Sequence, residues 1–388
     1  MSRTITFLKA LFIFLSLSAG SLFAIIPKAP EMSGKAYILM DFDTGKILVS
    51  KNADLQVPPS SLTKMMTSYV MSHEVSKGNV SYQDSVRISK NAWAKNFPGS
   101  SLMFIEVNTE VSLEDLKRGV IISSGNDASV AVAEHIAGSE QGFAELMNYH
   151  AKLLGMHDTY FVNSNGLPDE SHLTTAHDMA LLAQALIRDF PDDYEVYKEK
   201  EFTYNDIKQY NRNSLLWDRG MNVDGVKTGH TQAAGYSLVV SATRDNMRLI
   251  SVVLGTNSKN ARKQQNKRLL NFGFRFYETV EPVQPGQILH QQRIWYGEKE
   301  NIALGLDQSI LLTIPRGDGN KLKAKFLIDG QLEAPIAKGQ KIGLVFFELE
   351  GKKIKELPLV ALEAIEEAGM WSKFTDYVAK AVDGWIND

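Results

Sequence analysis

The chain contains no cysteine. That excludes disulfide staples, a thiol nucleophile and any thiolate-bound metal, and leaves stability to packing. An excess of one charge is missing too. Lys and Arg number 42 against 45 Asp and Glu, for a formal net charge of −3. With no basic block to track phosphates, no nucleic-acid partner is expected. HExxH and GxSxG are both absent, which argues against a zincin-type protease and an α/β-hydrolase. His150 and His157 stand seven apart, and His172 and His177 five apart. Neither spacing sets two ligands on one helix face, so no metal and no cofactor is expected.

What is present begins at the N-terminus. Arg3 and Lys9 precede the almost wholly apolar run Ala10–Leu17, and small residues follow at Ser18, Ala19, Gly20 and Ser21. This is the charged, apolar, small layout of a secretory signal covering residues 1–24, and it predicts export. The apolar run is shorter than the roughly 20 residues a spanning helix needs.

With 388 residues there is room for two domains. Apolar stretches around Asp43-Thr44-Gly45 predict a hairpin. Pro58-Pro59 interrupts the chain, and Ser60, Ser61 and Thr63 offer capping oxygens to a helix over 62–73. Further helices are predicted over 112–121, 126–137, 140–154 and 176–189. Strands return over 222–256, and a charged helix follows over 259–270. Phe272, Phe274 and Phe276 read as core packing. Strands at both ends with helices between them predict one α/β domain over 30–276, its sheet mainly antiparallel and its strand order different from chain order. From 277 to 362, short apolar runs alternate with Gly/Asp/Asn turns, which predicts a small all-β domain. In the last segment, 363–388, Trp371, Phe374, Val378, Ala381, Val382 and Trp385 recur every three to four residues. That predicts an amphipathic helix whose apolar stripe attaches to a membrane surface, the alternative being a helix docked on the protein's own core.

The chemistry-bearing residues fall in three groups. Ser61 and Lys64 share a helix face at a spacing of three, with Ser61 at the first turn, where free backbone N–H groups favour developing negative charge. A serine hydroxyl needs a base, and a lysine is one only when burial or a neighbouring cation lowers its pKa. Ser124-Gly125-Asn126 opens a helical stretch: Ser124 offers a proton relay to a leaving amine, and the Asn126 amide can orient Lys64 and a substrate carbonyl. Lys227-Thr228-Gly229 closes a strand-like run. Lys227 adds positive charge, Thr228 offers a hydroxyl to a substrate carboxylate, and Gly229 leaves room for a substrate backbone along the strand edge.

Singly these tripeptides are common, but in this order and spacing they are a specific signal. Together with the runs PSSLTKMMTSYV, ISSGNDASVAVAE, NRNSLLW, VDGVKTGHTQAAGYSLV and GFRFYETV, the chain resembles the low-molecular-mass penicillin-binding proteins, serine D-alanyl-D-alanine carboxypeptidases of the penicillin-binding protein five/six group. The resemblance covers nearly the whole length and implies a serine β-lactamase/transpeptidase-like fold with an inserted helical region. It further implies that Ser61 attacks the carbonyl between the last two D-alanines of a peptidoglycan stem peptide while Lys64 takes its proton. Ser124, helped by Lys227, then protonates the leaving D-alanine, and water releases the acyl group. The backbone N–H groups of Ser61 and His230 would hold the oxyanion. Thr228 and Arg212 would hold the terminal carboxylate, with Arg262 a weaker claimant. β-Lactams become covalent inhibitors at Ser61, and the expected place of work is the periplasmic face of the cytoplasmic membrane. The stretch Asn91–Ser101 is expected near the cleft mouth. Two rival readings remain, a serine β-lactamase on the same fold and a peptidoglycan-binding scaffold; the E-x-x-L-N run that would deacylate a penicilloyl-serine is absent.

Overall fold

The architecture is that of a computed structural model, which describes residues 26–328 and 330–387, with side chains described through 380. The expected signal at 1–24 lies outside the described residues.

The chain enters through β1 (Ala36–Asp41) and β2 (Ile47–Lys51), joined by the turn around Asp43-Thr44-Gly45. A 3-10 turn at Ser60–Leu62 runs into α1 (Thr63–Ser76). A short antiparallel pair follows, β3 (Ser85–Arg87) with β4 (Glu110–Ser112), and then α2 (Leu113–Arg118). The helical region continues with α3 (Asn126–Ala137), α4 (Glu140–Leu153), α5 (Ala176–Asp189) and the single turn α6 (Pro191–Tyr194). A hairpin of β5 (Glu201–Tyr204) and β6 (Ile207–Tyr210) leads to three long strands, β7 (Asn222–Thr231), β8 (Gly235–Arg244) and β9 (Met247–Thr256), and to α7 (Lys259–Phe276).

The main sheet has the order β2-β1-β9-β8-β7 and every pairing in it is antiparallel. The first strands thus lie beside the last, as expected of a sheet whose spatial order departs from chain order. Both faces are covered. Along β1 and β9, Ile38, Met40, Ile250 and Val252 point into the core shared with α1, α3 and α5, while Leu39, Leu249 and Val253 point into the core under α7. Successive side chains on a strand alternate faces, so a strand covered on both sides reads as an unbroken apolar run.

Two helix boundaries differ from expectation. The helix predicted over 112–121 ends at Arg118 and gives way to a π-type turn, Gly119–Ser123, after which Ser124 takes left-handed backbone angles, φ 57° and ψ 35°. The charged helix continues to Phe276, because Leu269, Leu270, Phe272 and Phe274 keep packing beneath the sheet.

Beyond α7 the described chain consists of strands and one 3-10 turn, Gly319–Lys321, up to its last helix. Strands β10 (Tyr277–Val280) and β13 (Leu312–Pro315) pair with each other. Strands β11 (Ile288–Trp295), β12 (Asn301–Gly305), β14 (Leu322–Ile328), β15 (Leu332–Glu333), β16 (Lys341–Leu349) and β17 (Lys352–Ala361) form a six-stranded sheet in the order β14-β16-β17-β12-β11-β15. Its own core includes Ile302, Leu304, Ile314, Val345, Phe347 and Leu359. Hydrogen bonds tie the β10–β13 pair to the first hairpin, from Thr279 Oγ1 to Asp41 Oδ2 at 2.8 Å and from Lys46 Nζ to the Thr313 carbonyl at 2.9 Å.

The terminal helix, α8, spans Met370–Asn387 and so starts later than the expected residue 363. Ile365 is fully buried in the β core and bridges Ile336, and Glu367 bridges Gly297, which keeps residues up to 367 extended. Met370, Trp371, Phe374, Tyr377 and Val378 of α8 are exposed, against the reading of a helix docked on the protein's own core. Trp385, Ala381 and Val382 lie outside the described side chains. No described helix is long and apolar enough to cross a membrane.

Candidate active site

The residues singled out from the sequence meet in one cleft of about 840 Å3, between the α1 entrance, the Ser124 turn and the edge strand β7. Ser61, Ser124, Asn126, Arg212, Thr228, Gly229, His230 and Arg262 line it, and so do Gly99, Ser100 and Ser101 from the stretch expected at its mouth. Lys64 and Lys227 are buried beneath its floor.

Ser61 stands in the 3-10 turn before α1. The expected capping by Ser60, Ser61 and Thr63 does not occur, since no side chain caps either helix start. The Thr63 hydroxyl is taken instead by His172 Nε2 at 3.0 Å. Burial holds the His172 imidazole down at about 4, so it is a neutral partner at pH 7. Ser60 has φ 51°, and Gly166, at φ 86°, passes against its carbonyl so closely that a Cβ would collide with it.

Lys64 is fully buried. Its Nζ donates to Asn126 Oδ1 at 2.7 Å and to the Asn165 carbonyl at 2.5 Å. Both partners are neutral. Removal from water, reinforced by the positive charge of Arg212 and opposed by Asp127 and Glu140, brings its pKa down from 10.5 to about 7. Near neutral pH the amine is therefore available as a base without further help.

The Ser124 turn is shaped by Asp127 and Gly125. Asp127 accepts backbone N–H groups from Met103, Phe104 and Ile105 at 2.8 to 3.2 Å, drawing that loop over the start of α3. A Cβ on Gly125 would meet Asp127 Oδ1 at 2.7 Å and the Met103 nitrogen at 2.9 Å, so the residue between Ser124 and Asn126 has to be small. Ser124 Oγ accepts from Lys227 Nζ at 2.8 Å. Burial first, then the charges of Lys64, Arg212 and Arg262, push the Lys227 pKa well below its usual value.

On the opposite wall, Thr228 faces the cleft and His230 is exposed, its ring stacked on Tyr236 at 3.9 Å. Arg212 Nη1 donates to Ser101 Oγ at 2.5 Å. Arg262 lies behind the strand and spends its guanidinium on the Gly229 carbonyl at 2.9 Å and the Ser237 carbonyl at 3.2 Å, which fits its lesser standing as a carboxylate ligand. Gly229 departs from its expected reason: a Cβ there would point at the Pro59 carbonyl (3.0 Å) and the Leu62 side chain (3.2 Å), so its smallness lets the Ser60–Leu62 turn approach the sheet.

Sequence reasoning missed Asn165, Gly166 and Asp127, whereas Ser101 fell inside the stretch expected at the mouth. Asn165 acts through its main chain, and Ser164-Asn165-Gly166 carries no signal beyond a turn. Asp127 was the nearest to being found, as the residue directly after Ser124-Gly125-Asn126. His150 lies beside His73 and Glu74, neighbours on another helix that spacing along one helix does not reveal.

With this geometry in hand, comparison with known proteins is direct. The D-alanyl-D-alanine carboxypeptidase family profile matches residues 24–258, and the penicillin-binding protein 5 C-terminal domain matches residues 277–367. D-alanyl-D-alanine carboxypeptidase DacA of Escherichia coli K12 is 45% identical over 366 residues, 93% of this chain and 91% of DacA. The crystal structure of penicillin-binding protein 5 from Haemophilus influenzae is similar at 45% identity and a TM-score of 0.82, covering 88% of this chain and 100% of that one. Penicillin-binding protein D2 of Listeria monocytogenes in its cefotaxime-bound form is similar over 64% of this chain and 100% of that one, at 28% identity and a TM-score of 0.59. The chain belongs to the D-alanyl-D-alanine carboxypeptidase family, and it is a serine-type peptidase with the α/β fold and C-terminal all-β domain of the penicillin-binding protein 5 group.

Proposed function

We propose that this enzyme removes the terminal D-alanine from peptidoglycan stem pentapeptides through an acyl-enzyme on Ser61, and that β-lactams block it by acylating the same oxygen. The observation that carries the reading is Lys64, a buried amine with a pKa of about 7 whose hydrogen-bond partners are both neutral. Neutral Lys64 takes the proton of Ser61 as its oxygen attacks the carbonyl of the penultimate D-alanine. The oxyanion is held by the main-chain N–H groups of Ser61 and His230. As the C–N bond breaks, Ser124 passes a proton to the departing amine and is resupplied from Lys227, 2.8 Å away. Water then cleaves the ester. Thr228 and Arg212 hold the terminal carboxylate, which selects a carboxypeptidase substrate.

The rival β-lactamase reading lacks a carboxylate base to activate water, since among the described residues no Asp or Glu lines the cleft. Without one, a penicilloyl ester on Ser61 turns over slowly. The binding-only reading has no use for two buried lysines in hydrogen-bonded pairs with Asn126 and Ser124.

The work is done outside the cytoplasmic membrane, after export directed by residues 1–24. The protein is held at the membrane surface by α8, whose exposed Trp371, Phe374, Tyr377 and Val378 support this reading. The boundaries proposed are 30–276 for the catalytic domain and 277–362 for the β domain.

The test is D-alanine release from a pentapeptide ending in D-Ala-D-Ala, with and without penicillin, alongside mass spectrometry of the protein. Release that penicillin abolishes, with an adduct on Ser61, is expected. An adduct absent from Ser61, or rapid penicillin hydrolysis without D-alanine release, overturns the assignment.

A further inference from the structure

The last turn of α1 brings His73 and Glu74 against His150 in the last turn of α4, so that one ligand atom from each lies within 4.8 Å of the other two. From these three side chains we infer a binding site for a divalent transition ion of the zinc class, separate from the catalytic cleft and clipping α1 to α4.

Three observations carry it. The first is geometric. His73 Nδ1 and Glu74 Oε1 are 3.1 Å apart, and the His73 and His150 rings are 4.5 Å apart at 61°. Two ligands of a tetrahedral ion with bonds of roughly 2.0–2.1 Å stand about 3.3 Å from each other, so small side-chain rotations close the set. The second is an uncommitted ligand atom. His150 is 4% exposed, and no hydrogen-bond partner reaches either of its ring nitrogens among the described residues, although neither is sealed from solvent. The ring therefore has a lone pair to offer beside a second imidazole and a carboxylate. The third is the setting. Asn79 Nδ2 fixes the other Glu74 oxygen at 2.6 Å, leaving Oε1 toward the histidines. Both helices also end here, and their C-terminal carbonyl ends favour a cation.

The donor set selects the ion. Two imidazoles and one carboxylate suit zinc, whereas magnesium and calcium prefer all-oxygen surroundings. Three protein ligands leave a fourth position to water. The ion would not touch substrate, since His73 lies about 14 Å along the α1 axis from Lys64. Its effect is mechanical: α1 carries Lys64, while Glu140 at the start of α4 accepts from Ser164 Oγ at 2.8 Å and steadies the loop whose Asn165 carbonyl receives Lys64. An ion at the far ends of these two helices braces both supports of the lysine.

The test uses the untagged full chain, stripped with chelator and titrated with zinc chloride by calorimetry, in parallel with His73→Gln, Glu74→Gln and His150→Phe. The phenyl ring preserves the packing against Tyr69 and Tyr149. The wild type should bind one zinc per chain and melt at a higher temperature with it. Each variant should lose at least tenfold in affinity along with the thermal shift, and magnesium chloride should give neither signal. No binding by the wild type, or zinc affinity unchanged in His73→Gln and Glu74→Gln, overturns the site.

Discussion

Asn126 Oδ1 accepts a hydrogen bond from Lys64 Nζ at 2.7 Å, so the group that steadies the buried amine is neutral. That neutrality is what lets desolvation lower the lysine pKa to about 7. Asn126→Asp keeps the shape and adds a negative charge in contact with Nζ, which favours the ammonium form. Acylation by a fluorescent penicillin at pH 7 is expected to fall by at least tenfold, with partial recovery at high pH. An unchanged pH profile in this variant removes the base role from Lys64.

Arg212 acts on the same amine from a distance. Its charge is the second cause, after burial, of the low Lys64 pKa. A base works deprotonated, so the wild-type acylation rate should rise with pH through a midpoint near 7 and level off above it. In Arg212→Gln the midpoint should move upward, because a cation that opposed protonation is gone. The same change should raise KM for the peptide by about tenfold or more, since one charged hydrogen bond to a carboxylate contributes on the order of 1.5–3 kcal/mol. Stopped-flow acylation across pH 5–10 and steady-state D-alanine release separate the two effects.

The sequence reveals the cleft unevenly, and for physical reasons. Ser61, Lys64, Ser124, Asn126, Lys227 and Thr228 were legible because each works through a side chain at a fixed spacing from another. Asn165 was not, since a carbonyl oxygen leaves no mark on residue identity. His73 and His150 were not paired because they sit on different helices, 77 positions apart, and spacing rules see one helix at a time. The strands were clear from apolar runs covered on both faces. The π-type turn before Ser124 was not, because Gly119–Ser123 continues the helical pattern and departs from it only where the loop held by Asp127 crosses.

Gly166 is expected to be the least replaceable glycine in the cleft. It combines φ 86° with direct contact on the Ser60 carbonyl, whereas Gly229 has an ordinary backbone and neighbours at 3.0 Å or more. Gly166→Ala must displace the backbone just before Ser61, and misplacement of a nucleophile by about 1 Å costs on the order of a hundredfold in rate. Gly229→Ala should cost less. Second-order acylation constants for the two variants, with circular dichroism to verify folding, test this order; equal losses contradict it.

Asp127 gives a stability prediction that differs from a catalytic one. Its carboxylate is buried and accepts four backbone N–H groups, those of Met103, Phe104, Ile105 and Ala128. Asp127→Ala leaves several donors unpaired, at about 1–3 kcal/mol for each one that stays buried without water. Denaturant unfolding should show a loss of a few kcal/mol. Asp127→Asn keeps the shape and an acceptor oxygen and should lose less. It should also lower the Lys64 pKa further, since Asp127 is among the charges that raise it, moving the acylation midpoint below that of the wild type.

The exposed face of α8 yields the last prediction. Trp371 is 82% exposed and Phe374 60%, while Asp376 on the other side is engaged by the Tyr296 N–H at 2.7 Å. The helix is therefore tethered by its polar side with its apolar side free. Burial of apolar surface stabilises by about 25 cal/mol per Å2, and with Lys373 and Lys380 the described part has little basic charge to attract anionic lipid. Binding to vesicles should accordingly be reversible and nearly unchanged between low and high salt. Trp371→Ser with Phe374→Ser should weaken flotation with vesicles by tenfold or more while D-alanine release from a soluble peptide stays at the wild-type rate. Deletion should start at Met370, since residues up to 367 still pair within the β domain. A protein cut there that floats as well as the full chain places the membrane contact elsewhere, and strong loss of flotation in salt makes the contact electrostatic.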